Sequence, residues 1–153
     1  MSAYKQITHT NPDGGTVQVR VGNYSVTSLN VTIDARSWIG AGATIAENVI
    51  IDARSWIGEN VTIAENVTIG ENATIAENVT IGDNVCIGDN VCIGSYSTIR
   101  AGSKIGPNVT IGERSWIGEN VTIGENVTIG ANVCFSSYST IRAGAYIAAQ
   151  ERA

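Results

Sequence analysis

The chain has 153 residues, 43% of them apolar and 15% charged, with a formal net charge of −5 and one histidine. That length fits one domain, and the wealth of Ile and Val excludes a disordered chain. Nine scattered Lys and Arg against fourteen Asp and Glu argue against a nucleic-acid partner. No apolar run approaches the roughly eighteen residues of a membrane-spanning helix.

The first ten residues, MSAYKQITHT, lack the apolar core of a signal peptide. Three cysteines, an odd number, suit a reducing compartment. A cytoplasmic location is therefore expected. Residues 1–15 show no repeat, and Asn11-Pro12-Asp13-Gly14-Gly15 is a strong turn signal. The segment is expected to be an extended piece that turns back over the open end of the following repeat.

From Ser28 to Ile147 the chain divides into twenty hexads without insertion or deletion, GENVTI and AENVTI being typical. The sixth slot is isoleucine from Ile33 to Ile147, with Phe135 the single exception. The fourth slot is Val, Ala or Ser, and the fifth is Thr in eleven of the twenty. Thr16 to Val21 and Gly22 to Thr27 fit more loosely. A helix would scatter residues six apart, because six positions advance it by about 600°. Slots four to six alternate in, out, in, as a strand does. The Gly, acid and Asn that follow have turn composition. Each hexad is therefore a short strand and a corner. Three hexads close a triangular coil of eighteen residues, and the coils stack as parallel strands about 4.8 Å apart. The expected division is a cap at 1–15, an all-β solenoid at 16–147 and a tail at 148–153 that shields the last coil.

The unit Ile63-Ala64-Glu65-Asn66-Val67-Thr68 resembles the consensus of the hexapeptide-repeat superfamily, and the resemblance extends over Ser28 to Ile147. It implies a left-handed parallel β-helix, although the general crossover rule favours right-handed connections. It also implies trimers with parallel axes, and acyl transfer to sugars, nucleotide sugars or amino acids with a histidine as general base. The only histidine is His9, in the expected cap, so the family's catalytic position has no match in the coils. The carbonic anhydrases of this fold need three histidines on a metal, which this chain lacks.

Several outward arrays are candidates for function. Trp38 and Trp56 are eighteen residues apart and stack on one face, with Arg36 and Arg54 beside them, a composition of interfaces. Thr44, Thr62, Thr80 and Thr98 form a rank, with Asn60 and Asn78 parallel to it. That rank resembles the ice-binding face of insect antifreeze β-helices, but β-propensity alone also places Thr there. Acidic rows, Glu47/Glu65/Asp83 and Glu59/Glu77, either hold a divalent cation or stay solvated. Cys86, Cys92 and Cys134 point outward from three different faces, so they neither pair nor build a zinc site.

The unbroken register and the duplicated SYSTIRAG block, at Ser95 to Gly102 and Ser137 to Gly144, favour a consensus-built structural scaffold. The resulting expectation is a non-enzymatic designed solenoid, without cofactor, nucleic acid or membrane, that self-associates through Trp38 and Trp56. Its alternatives are an acyltransferase-like protein lacking the catalytic histidine and an ice-binding protein.

Overall fold

The computed structural model describes residues 4–22, 26–27 and 30–150. The first two positions of the strict repeat (residues 28–29), part of the looser hexad before it (23–25) and the end of the expected tail (151–153) lie outside the described residues.

Two long strands, β1 (Tyr4–Thr10) and β2 (Thr16–Gly22), open the fold. Two-residue strands follow, one per hexad, from β3 (Val26–Thr27) to β23 (Tyr146–Ile147). They assemble into sheets of nine, seven and seven strands, the three faces of a triangular prism. Apart from the β1–β2 hairpin, all strand pairs are parallel and join residues eighteen apart, as in Ile63↔Ile81 and Ile81↔Ile99. The coil is a left-handed parallel β-helix.

The sixth-slot isoleucines and fourth-slot valines fill the axis. Ile39, Ile45, Ile57, Ile69, Ile75 and Ile81 are fully shielded from solvent. Each buried isoleucine contributes about 1.5–3 kcal/mol. Where the fourth slot is serine, its hydroxyl donates to a backbone carbonyl: Ser37 to Asp52 O, Ser55 to Gly70 O, Ser103 to Gly118 O. These bonds make a buried hydroxyl tolerable where valine is otherwise used.

The third slot turns each corner. Its φ lies between 55° and 77° from Asn30 to Gly144. Asn tolerates this left-handed conformation better than other non-glycine residues, which explains its recurrence. Five bulkier residues occupy it instead: Arg36, Arg54, Tyr96, Arg114 and Tyr138.

The first coil is closed by the hairpin. β1 pairs antiparallel with β2 on the first face. At its end, His9 Nε2 lies 2.9 Å from Val31 O. Asn11 accepts from Ile33 N at 2.9 Å and donates to Ile33 O at 3.3 Å. β1 thus bridges the free edges of the first and third faces, where an unpaired strand invites association. Of the expected tail, the described residues are 148–150. Ala148 to Gln150 continue the coil rather than fold over it, with Gln150 N donating to Ala131 O. Phe135 and Ile147 accordingly stay half-buried.

Candidate functional site

The first face carries the outward residues Arg20, Trp38, Trp56, Thr74, Cys92 and Thr110 in parallel register. Trp38 and Trp56 stack with ring centroids 5.5 Å apart and planes at 18°. The guanidinium of Arg20 lies 5.4 Å from the centroid of Trp38. The ladder therefore runs Arg20–Trp38–Trp56, a cation on an indole on an indole. Arg36 and Arg54, expected beside the tryptophans, stand at the corner in left-handed conformation, with φ of 65° and 60°. Neither is the cation on the rings. Arg20 was legible as the fifth slot of the loose hexad Thr16–Val21, eighteen positions before Trp38.

Two concavities flank the ladder. One, of about 680 Å³, lies against the hairpin and is lined by Gln6, Gln18, Arg20, Arg36, Ser37 and Trp38, among others. The second, of about 320 Å³, is lined by Trp56, Gly58, Glu59, Thr74, Ile75, Ala76, Glu77 and Ser95. Its floor is an indole 52% exposed. Its titratable groups are two carboxylates, which the sequence presents only as an edge row.

Elsewhere the arrays separate. Thr44, Thr62, Thr80 and Thr98 are in register on the second face, and the rank ends at Trp116. There Arg100 lies 5.6 Å from the Trp116 ring centroid and pairs with Glu119 at 3.1 Å. Asn60 and Asn78 turn corners, so they add no second rank on the flat of that face. In the acidic row, Asp83 accepts the N–H of Glu65 at 3.1 Å, and at another corner Asp89 accepts that of Glu71 at 2.9 Å. Among the described residues no group of three His, Cys, Asp or Glu is placed to hold a metal. The carboxyl of Asp52 is raised above the usual range, by burial first and then by Asp34, Asp89 and Glu71. Cys86, Cys92 and Cys134 are free and exposed, one on each face. His9 sits at the hairpin, its Nε2 engaged with Val31 O, far in sequence from the carboxylate groove.

Comparison with known proteins identifies the repeat. The family described as "Bacterial transferase hexapeptide (six repeats)" matches residues 49–83, 60–101, 87–115 and 108–143, together more than half the chain. This chain belongs to the hexapeptide-repeat transferase family. No curated protein sequence matches it. Among solved structures, it is similar to the acetyltransferase domain of PglB from Neisseria gonorrhoeae, at 17% identity and TM-score 0.61, over 85% of this chain and 54% of that one. A mutant perosamine N-acetyltransferase from Caulobacter crescentus, in complex with CoA and GDP-perosamine, gives 18% identity and TM-score 0.52, over 80% and 55%. A hexapeptide transferase family protein from Anaplasma phagocytophilum gives 19% and 0.51, over 86% and 74%. The chain spans about half the length of the first two.

The expectation of a non-enzymatic scaffold is corrected by these findings. The repeat is that of a transferase family, and two structural neighbours are acetyltransferases. A missing histidine does not amount to missing chemistry, because other side chains serve as bases.

Proposed function

We propose that this protein transfers an acyl group from a CoA thioester to the amine or hydroxyl of a sugar-class acceptor, in the groove at Trp56. The observation that carries this reading is the pairing of an exposed indole with two carboxylates, Glu59 and Glu77, in one concavity. Family membership and the neighbour that holds CoA and GDP-perosamine support the substrate classes. His9 does not line this groove, so the base in this reading is one of the groove's own carboxylates.

In the proposed step, a carboxylate of the pair takes the proton of the acceptor N–H or O–H. The nitrogen or oxygen bonds to the thioester carbonyl carbon, the carbon–sulfur bond breaks, and the proton passes to the leaving thiolate. Trp56 offers a flat apolar surface to the acceptor ring, and Thr74 and Ser95 offer hydroxyls to its polar edge. Release of free thiol from acetyl-CoA, measured against amino sugars, sugars and amino acids, tests the reading. Acceptor-dependent release that falls about 10²–10⁴-fold in Glu59→Gln or Glu77→Gln supports it. Absence of release with every acceptor overturns it.

A second reading concerns assembly. We propose that the chain forms a homo-oligomer, a trimer in keeping with its family resemblance, with the Trp38–Trp56 ladder bordering the contact so that the groove at Trp56 stays open along it. Exposed Trp with neighbouring Arg is the composition enriched at such contacts.

A further inference from the structure

We propose that the larger cleft, between the hairpin and the first face, binds a phosphate ester through Arg20 and Arg36. The site is separate from the carboxylate groove and does not depend on acyl transfer. Its volume of about 680 Å³ is that of a small-molecule site.

Three observations converge on an anion. First, the chain is acidic overall, at −5, yet two of its nine basic residues line this one cleft. Among the described residues neither has a carboxylate within 4 Å; Arg54, Lys104 and Arg142 share that state, but Arg20 and Arg36 are the two that line a common cleft with each other. Asp34 and Asp52 stand at the same corners as Arg36 and Arg54, and still no ion pair joins them there. Second, Arg36 holds a left-handed backbone, φ 65°, at a slot where Asn is the relaxed and usual choice. Arg54, Tyr96, Arg114 and Tyr138 hold the same corner conformation, so what sets Arg36 apart is that its corner borders the cleft. Third, Arg20 is set in place by the Trp38 ring beneath it, and Trp56 covers the other side of that ring. Both faces of Trp38 are thus occupied, so the cleft recognises charge rather than a stacked base. Two guanidinium forks suit the oxygens of a phosphate. Gln6 donates to Gln18 at 3.4 Å and Gln18 to Thr8 at 2.7 Å, which leaves the Gln6 amide oxygen and the second N–H of each amide for the hydroxyls of an esterified sugar.

Calorimetric titration with inorganic phosphate, glucose 6-phosphate and glucose tests the proposal, on the full chain and on Arg20→Gln, Arg36→Asn and Arg100→Gln. The expected result is saturable binding of glucose 6-phosphate, weaker binding of phosphate and none of glucose. Arg20→Gln and Arg36→Asn should each weaken binding by roughly tenfold or more, and Arg100→Gln should leave it unchanged. Arg36→Asn should melt at or above the wild-type temperature, so that lost binding cannot be ascribed to lost fold. No binding of either phosphate compound by the wild type overturns the proposal. So does binding by Arg36→Asn equal to wild type, or an equal loss in Arg100→Gln.

Discussion

The indole of Trp38 lies 5.5 Å from that of Trp56, eighteen residues along the chain, with the two planes at 18°. The contact exists only because each coil consumes the same number of residues. A single inserted residue between them would carry Trp56 off the face. It also leaves Trp56 half in solvent, at the end of a ladder that begins with Arg20.

If this ladder holds copies together, its removal shows as a loss of mass. Trp38→Ser/Trp56→Ser is expected to sediment as a monomer where the wild type sediments as a homo-oligomer. Identical sedimentation of the two proteins would end the assembly reading. The cooperative thermal melt should be retained, because both side chains stand outside the axis.

The core makes a stronger demand. Ile81 is fully buried between Ile63 and Ile99. Ile81→Ala is expected to cost about 2–5 kcal/mol in denaturant unfolding. Ile81→Asp should disrupt the coils on either side, since an unpaired carboxylate on a dry axis has no compensating partner. An unchanged cooperative melt for Ile81→Asp would contradict the register.

At the closed end, Asn11 is the fastener. It is buried and exchanges two hydrogen bonds with Ile33. Asn11→Ala leaves those backbone groups without a partner, at a cost of about 1–3 kcal/mol. The loss should appear as faster hydrogen exchange in the hairpin and first coil, with the central coils unchanged. Uniform acceleration along the helix would show that the hairpin is no separate cap.

Asp52 carries the pH dependence. Its folded value is raised above 3.8, so the folded state disfavours the charged form. Stability is therefore greatest while the group is protonated in both states, and it falls as pH rises through the folded value. Asp52→Asn should be slightly more stable than wild type at pH 7, and the gain should vanish below the unfolded value. The gain is small because the carboxyl keeps much of its solvent contact. A variant less stable at pH 7 would reverse this assignment.

The architecture was legible because its signal repeats. Each inward isoleucine restates the register, and the parallel pairs of the structure join the expected residues. The tryptophan stack and the three dispersed cysteines follow from the same counting. What escapes is whatever the repeat does not encode. Arg20 comes from a strand where the hexad is loose, whereas Arg36 and Arg54 are close in sequence to the tryptophans and so look like their cations. The corner geometry keeps those two off the rings, with Arg36 at the edge of the cleft beside Trp38. The fourth-slot serines resemble small fillers, and only the structure shows Ser37, Ser55 and Ser103 donating to carbonyls. Glu59 and Glu77 read as edge charge, because a groove between one face and its corner has no sequence signature. The family was legible in the hexads themselves; the expectation of a non-enzymatic chain rested on the missing catalytic histidine and gave way to the match to a transferase family.

Chemistry on the first face, at the carboxylate groove, is tested most directly by thiol release from acetyl-CoA, with the best acceptor, in two double variants. Glu59→Gln/Glu77→Gln is expected to lose kcat by about 10²-fold or more, and Thr62→Val/Thr80→Val, on the second face, to retain it. Full activity in the glutamate variant, or its loss in the threonine variant alone, would contradict that placement.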